Sequence, residues 1–246
     1  MTDGKATGYI LWEGPSRIDG TDIVAIATMK TTNRKTGDMV QTWILCADTD
    51  PVTALKTRKD KAICGGCRHR GSPKTGKGRS CYVNVGQAPL AVHRAYKLGK
   101  YSRSWSSETF KGRRVRLGAY GDPAAIPVEI WAEVVKQSDG HTGYTHQWKS
   151  KRLRDTLTFC QASVDSVAEY DRARSLPVVS LRPDLREGEW VGGGSFRVMA
   201  KGGTLRDGEI LCPASTLGNT TCAQCMMCDG TSNIAIEAHG TGAKYV

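Results

Sequence analysis

The sequence predicts an α/β protein: a full or partial parallel (β/α) barrel with a β-rich N-terminal segment and two cysteine-rich metal-binding loops. Three observations predict this fold class. Residues 8–47 contain strand-like runs, the chain after residue 87 alternates strand and helix patterns, and seven of the 9 cysteines fall into two groups. A long alternation of strands and helices indicates parallel βαβ units, and hence a doubly wound sheet or a barrel.

Residues 1–55 are the predicted β-rich segment. The runs GYILWEG, DIVAIATM and MVQTWILCA are apolar and rich in β-branched and aromatic residues, and polar turns such as residues 33–38 separate them. Runs of this kind predict strands. Residues 56–246 are the predicted barrel, with cysteine loops at 64–81 and 212–228.

Within the predicted barrel, helix and strand patterns follow one another. Helices are predicted at 88–99, 127–138, 153–157 and 167–175, and strands at 113–123, 142–148, 159–166, 177–183, 209–215 and 233–240. Polar residues fall at the ends of these strands, which favours a barrel because such folds place functional residues there. These residues are Asp122, His146, Gln147, Asp165 and Arg182.

The cysteine spacing predicts metal sites. The first group is Cys64, Cys67 and Cys81, and the second is Cys212, Cys222, Cys225 and Cys228. Thiolates two residues apart can bind one metal from a single turn, and thiolate-only sites select zinc or an iron–sulfur cluster such as [4Fe–4S]. Spacing alone does not separate these metals.

Two histidines are further candidate ligands. His69 can complete the first group as a fourth ligand, and His239 can replace one thiolate of the second. Cys46 and Cys160 lie in apolar runs and are predicted to be buried thiols. A disulfide framework is the alternative, but it belongs to short secreted chains, and this chain begins without an apolar signal-peptide core. We therefore expect a cytoplasmic protein without a membrane span, since no run of about 18 apolar residues occurs.

The charge predicts a polyanionic partner. With 35 Lys and Arg against 24 Asp and Glu, the formal net charge is +11, and the basic residues concentrate at 56–79 and 94–116. Nucleic acid, with DNA favoured over RNA, is the expected partner, and solvated loop faces are the alternative. The predicted phosphate contacts are Lys74, Lys77, Arg79, Arg113, Arg114 and Arg116. The sequence does not indicate an oligomeric state.

The candidate catalytic residues are Asp122, His146 and Asp165, which we expect to meet in one pocket at the barrel rim. A carboxylate between Gly121 and Pro123 can orient an amine or a base edge, and an imidazole can donate a proton near neutral pH. The alternatives are a turn aspartate that binds its own backbone and a structural histidine. Four aromatic residues are candidates for stacking a base or for the core. They are Tyr82, Tyr120, Tyr144 and Trp148.

Several of these motifs resemble those of the radical S-adenosylmethionine proteins, and the resemblance spans about residues 43–215. The likeness lies in a cysteine loop after an early strand, the Gly-Asp-Pro in RLGAYGDPAAIP, the strand end GYTHQW, and QASVDS followed by VAEYDRAR. The resemblance implies a partial barrel and a [4Fe–4S] cluster on the first cysteine group. It further implies an S-adenosylmethionine site that includes Gly121, Asp122, Pro123 and Ser163.

The spacing Cys64-x2-Cys67-x13-Cys81 differs from the usual CxxxCxxC of that superfamily, and Asp122 stands where a Glu is common. The Cys81-Tyr82 dipeptide also resembles that of phage-encoded proteins with similar barrel motifs, which implies the cytoplasm of a bacterial host.

Two classes of function follow. The first is a metal-dependent barrel enzyme that modifies a nucleic acid or a nucleobase, either radical S-adenosylmethionine-like or a zinc-containing base transglycosylase. The base transglycosylase alternative rests on a resemblance to the tRNA-guanine transglycosylases in Cys222, Cys225, Cys228 and His239, although a DSGGFQ-type segment is absent. The second class is a non-catalytic nucleic-acid-binding protein whose metals only tie loops together.

Overall fold

In a computed structural model, which describes residues 6–72, 76–176 and 193–246, the chain forms one nine-stranded, mostly parallel sheet flanked by short helices. The strands are β1 (Gly8–Pro15), β2 (Asp22–Thr28), β3 (Val40–Cys46), β4 (Arg114–Tyr120), β5 (Gly140–Thr145), β6 (Gln161–Ser163), β7 (Ser195–Met199), β8 (Ile210–Leu211) and β9 (Ile234–Glu237).

The helices lie between these strands. The α-helices are α1 (Pro51–Thr57), α2 (Lys61–Cys64), α3 (Ala88–Lys97), α4 (Val128–Val135), α5 (Val167–Arg174), α6 (Pro213–Thr216) and α7 (Cys222–Cys225). Turns of 3₁₀-helix occur at Arg68–Arg70, Ser107–Phe110, Pro123–Ala125, Gln147–Lys149, Lys151–Thr158 and Ala243–Tyr245.

The strand order is β1-β2-β3-β4-β5-β6-β7-β9-β8. The pairs β1–β2 and β2–β3 are antiparallel, and every pair from β3 onward is parallel. The predicted β-rich segment therefore continues into the same sheet as the predicted barrel strands. Among the described strands the sheet is open, because β1 and β8 lie at its two edges. The α/β class is confirmed, and closure into a barrel stays a prediction.

Most predicted elements occur close to their expected positions, and one strand was missed. The strand β7, between glycine-rich flanks, was not predicted, because its five residues are too few to show a clear period. The strand predicted at 177–183, together with Arg182, lies outside the described residues.

The main core lies around β2 and the strands beside it. Five consecutive residues of β2, from Ile23 to Ala27, are fully buried. Helix α4 covers this region with Trp131, whose indole Nε1 donates to the carbonyl of Pro123 at 2.8 Å. Helix α1 begins at Pro51 because the Asp50 carboxylate accepts from two backbone amides of the first turn.

All nine cysteines are free thiols, and Cys46 and Cys160 are buried as predicted. In the described parts of the chain, the helices are all too short or too polar to cross a lipid bilayer.

Gly121 sits at the end of β4 in a conformation that only glycine adopts easily, with φ of +83°. A Cβ at this position would lie 2.6 Å from the Cβ of Ile44. We expect Gly121→Ala to lower the free energy of unfolding by about 2 kcal/mol more than Gly99→Ala, because overpacking adds to the backbone strain. Gly99 is the matched control, since its φ is +66° and its surroundings are open. Urea unfolding followed by circular dichroism measures the difference, and equal losses would contradict the predicted contact.

Candidate functional site

A pocket of about 370 Å³ lies at the carboxyl edge of the parallel strands. Parallel strands deliver their following loops to the same edge of a sheet, so residues distant in sequence meet there. Both cysteine groups line this pocket. Its cysteines are Cys64, Cys67, Cys81, Cys212, Cys222, Cys225 and Cys228.

The first cysteine group is held by the loop that follows α2. Cys64 is the last residue of α2, and its carbonyl accepts from Nε2 of Gln147 at 3.1 Å. The Oε1 atom of Gln147 accepts from the amide of Gly66 at 3.2 Å. The other end of the loop returns through the amide of Cys81, which donates to the carbonyl of His69 at 3.0 Å. The start of the loop is therefore anchored to Gln147, and its end is joined back to His69 within the same loop.

The thiols of this group are strongly influenced by burial and by one another. Burial raises the pKa of Cys64 well above its usual value, and negative charge on Cys67 and Cys81 raises that pKa further. Burial also raises the pKa of Cys81, although the nearby Arg79 partly opposes this effect. A bound metal would have to displace the protons of these thiols.

The carboxylate of Asp122 is engaged by four donors of the chain. Oδ1 accepts from the amide of Ala124 at 3.0 Å and from the hydroxyl of Thr145 at 2.7 Å. Oδ2 accepts from the amide of His146 at 2.8 Å and from Nε2 of Gln147 at 3.1 Å. The residue is only 7% exposed. Asp122 thus holds the loops after β4 and β5 together, while its predicted catalytic role stays a prediction.

His69, His146 and Asp165 come together at one side of the pocket. Nε2 of His69 lies 3.8 Å from Oδ1 of Asp165, and Nε2 of His146 lies 3.7 Å from Oδ2. The candidate ligand atoms of the three residues all lie within 4.8 Å of one another. In the described chain, no three cysteine sulfurs come that close together. The structure thus brings two predicted catalytic residues together with the predicted ligand His69.

The environments of the two imidazoles differ. Burial and the adjacent His146 lower the pKa of His69 to about 4. Burial also disfavours the charged form of His146, but the neighbouring Cys67 and Asp165 outweigh it and raise the pKa of His146 to about 10. Despite its own burial, Asp165 has a lowered pKa because His146, His69 and Lys149 surround it.

The second cysteine group joins the end of the sheet to an early loop. Helix α7 begins with a capping box formed by Thr221 and Gln224. The amide of Cys222 donates to the carbonyl of Lys35 at 2.9 Å, and Cys228 accepts through its carbonyl from the amide of Gly143 at 3.0 Å. This group is therefore connected to both the β2–β3 connection and β5.

Beside the second group lies Arg116, a cation that is only 9% exposed. Its Nη2 donates to the hydroxyl of Tyr82 at 2.5 Å, and its guanidinium carbon lies 5.7 Å from the ring centre of Tyr144. Its Nε has no hydrogen-bond partner among the described residues. Burial lowers the pKa of Arg116, but Tyr82, Tyr144, Cys222 and Cys228 outweigh this effect and raise that pKa above its usual value.

The predicted phosphate contacts do not form one surface. Arg79 and Arg116 line the pocket, with Arg79 donating to the carbonyls of Cys81 and Val83. Arg113 and Arg114 lie at the opposite, amino end of β4. Arg113 donates to the carbonyls of Met29 and Asp38. Lys77 is exposed, and Lys74 lies outside the described residues.

The remaining predicted site residues are divided between pocket and core. Gly121 and Ser163 line the pocket, whereas Pro123 is buried and does not. Trp148 is fully buried and donates through Nε1 to the carbonyl of Ser163. The other aromatic candidates, Tyr82, Tyr120 and Tyr144, all line the pocket.

Sequence reasoning missed the roles of Gln147 and Ser80. Gln147 connects Cys64 to Asp122, and Ser80 lies 2.7 Å from Nδ1 of His69 through its hydroxyl. The spacing Cys67-x-His69 placed that histidine near a metal site, but nothing local indicated a partner such as Asp165, nearly a hundred residues away.

Comparison with known protein families, curated proteins and solved structures found no match to this chain.

We expect Asp122→Asn to destabilise the fold by about 2–4 kcal/mol, because an amide nitrogen in place of either oxygen would face two of the four donors and the charge that strengthens the other bonds would be lost. Asp139→Asn is the matched control, since Asp139 is exposed. Chemical unfolding of both variants measures the effect. Equal stability of the two would argue against a structural role of the Asp122 carboxylate.

Proposed function

We propose that this protein is a metal-dependent enzyme that modifies a nucleobase or a nucleic acid by radical S-adenosylmethionine-like chemistry. The observation that carries the proposal is that all seven cysteines of the two groups, more than a hundred residues apart in sequence, line one pocket. Clustered thiolates select iron–sulfur centres or zinc. A pocket of about 370 Å³ beside such centres is within the size range of small-molecule sites.

The second group fits a metal because of Arg116. A buried cation without a counter-charge is strongly unfavourable. Cys222 and Cys228 lie close enough to Arg116 to affect its pKa. Four thiolates around a divalent ion or a cluster carry net negative charge, and this charge would compensate the guanidinium. The unpartnered Nε of Arg116 could then donate toward a thiolate sulfur.

The pocket lining favours an anionic substrate with a flat ring. In the described chain, three aspartates line the pocket, and one of them, Asp60, is paired with Arg70 at 2.6 Å. Lys35, Arg79 and Arg116 also line it, so the lysines and arginines of the lining outnumber its aspartates by one. Tyr82, which is 51% exposed, offers a ring on which a base can stack.

Cys64, Cys67 and Cys81 would hold a [4Fe–4S] cluster, and Cys212, Cys222, Cys225 and Cys228 a second centre. When bound, such a cluster together with S-adenosylmethionine supplies radical chemistry. Gly121 and Ser163 lie along the pocket wall where the resemblance places that cofactor. His146 and Asp165 line the same pocket.

Metal analysis of protein purified without oxygen tests the proposal. We expect broad absorption near about 400 nm and about four irons per cluster. Cys64→Ser and Cys81→Ser should each remove about four irons, while Cys46→Ala should retain them, since Cys46 is a buried thiol that does not line the pocket. Colourless wild-type protein that contains only zinc would refute the radical proposal and favour base exchange or simple binding.

We expect Arg116→Met to weaken metal binding at the second group by about 10–100-fold, as loss of an outer-shell partner typically does. Arg114→Met is the matched control, because Arg114 lies on the same strand but is exposed. The rate of metal loss to a chelator measures the effect. Equal retention by the two variants would show that Arg116 does not compensate a metal centre.

A further inference from the structure

Three loops at the carboxyl edge each contribute one side chain to a small cluster that the cysteine chemistry does not use. His69 comes from the loop after α2, His146 follows β5, and Asp165 follows β6. Their side chains are 12%, 12% and 15% exposed, and all three line the pocket. We propose that His69, His146 and Asp165 bind one divalent transition-metal ion, in addition to any metal held by the cysteines.

The distances between these groups fit a shared ion better than direct bonding. The separations of 3.8 and 3.7 Å between the imidazole Nε2 atoms and the Asp165 oxygens are too long for hydrogen bonds. Two ligands on one tetrahedral zinc, with bonds of about 2.0–2.1 Å, lie about 3.4 Å apart. Both imidazole–carboxylate separations exceed that spacing by only a few tenths of an ångström, and all three candidate ligand atoms lie within 4.8 Å of one another.

The orientation of the two imidazoles supports the same conclusion. Nδ1 of His69 lies 2.7 Å from the hydroxyl of Ser80. When that nitrogen donates its proton to Ser80, Nε2 keeps its lone pair directed toward Asp165, which is the arrangement that metal-binding histidines adopt. Nε2 of His146 is buried and has no hydrogen-bond partner among the described residues. A metal ion that displaces the proton of this imidazole would satisfy the atom.

The residues around Asp165 leave its carboxylate available to bind a metal ion. Lys149 lies 3.8 Å from Oδ2 of Asp165, but it is held by Glu169 at 2.5 Å. Glu169 also accepts from the backbone amide of Asp165 at 2.8 Å through its other oxygen, which fixes the start of this loop. The lysine is thus paired with Glu169 rather than with the proposed ligand.

Two imidazoles and one carboxylate define the class of ion. This donor set suits divalent iron, manganese, cobalt or zinc, and three protein ligands leave coordination positions open. Because the cluster lines the pocket, those positions would face a bound substrate or water molecule. The site does not depend on the proposed iron–sulfur chemistry, since none of its ligands is a thiolate.

Manganese is the sharpest probe because Mn²⁺ prefers carboxylate, imidazole and water over thiolate, and so does not report on the cysteines. The full chain is titrated with Mn²⁺, and the electron paramagnetic resonance signal of the free ion gives the bound fraction. We expect one bound ion per chain. Asp165→Asn and His146→Gln should each weaken binding by more than about tenfold, and Ser80→Ala by about 10–100-fold.

Asp139→Asn serves as the control, because it also removes one carboxylate but from an exposed position. Circular dichroism confirms that each variant is folded, and pulsed resonance on the bound ion should show coupling to imidazole nitrogen. Absence of Mn²⁺ binding to the wild type at millimolar concentration would overturn the proposal. Unchanged affinity in folded Asp165→Asn and His146→Gln variants, or bound Mn²⁺ without nitrogen coupling, would overturn it equally. A protein that binds Mn²⁺ as expected yet contains no iron would support this site while refuting the radical function.

Discussion

The site depends on the buried carboxylate of Asp122. The four hydrogen bonds of this carboxylate connect the loop after β4 to the loop after β5. The backbone amide of Asp122 also donates to the carbonyl of Ile63 at 2.6 Å. Gln147 extends this connection to the carbonyl of Cys64. Helix α2 and the two loops are therefore fixed relative to one another. Hydrogen bonds to a charged acceptor are stronger than neutral ones, and in a buried place they are also costly to break. The position of the first cysteine group beside His146 follows from this junction.

The charged residues around the pocket are compensated in different ways. Asp60 is neutralised by Arg70, and Asp165 lies among two imidazoles and a lysine. Arg116, by contrast, has aromatic rings and thiols around it. Burial raises the pKa of Cys228 to about 12, so this thiol stays protonated at neutral pH unless a cation displaces the proton. Metal binding and charge compensation would thus occur together, since ligands must lose protons when a metal binds.

Much of the fold could be predicted from the sequence, because long periodic runs report burial directly. The alternation of apolar runs located β4, α4, β5, α5 and β9 with small errors at their ends. Short elements were less accessible. β7, with five residues, was not predicted, whereas β8 lies inside the strand predicted at 209–215 but has only two residues. Neighbouring strands that offer hydrogen bonds decide where such short strands form and end, and no local pattern encodes this. The parallel order followed from the alternation, whereas the question of barrel closure depends on pairing between distant edges.

The sequence by itself determined the α/β class, the free buried thiols Cys46 and Cys160, and the chemical character of the site through its cysteines, histidines and acids. Only the tertiary structure decided which of these groups meet. Gln147 and Cys64 are 83 positions apart, yet they share a hydrogen bond, and Arg116 is buried near the thiols of Cys222 and Cys228. Composition and periodicity record what each segment prefers locally. The partner of a buried polar group is chosen by the packing of distant segments, because each such group must find its hydrogen bonds or its counter-charge wherever the fold places it.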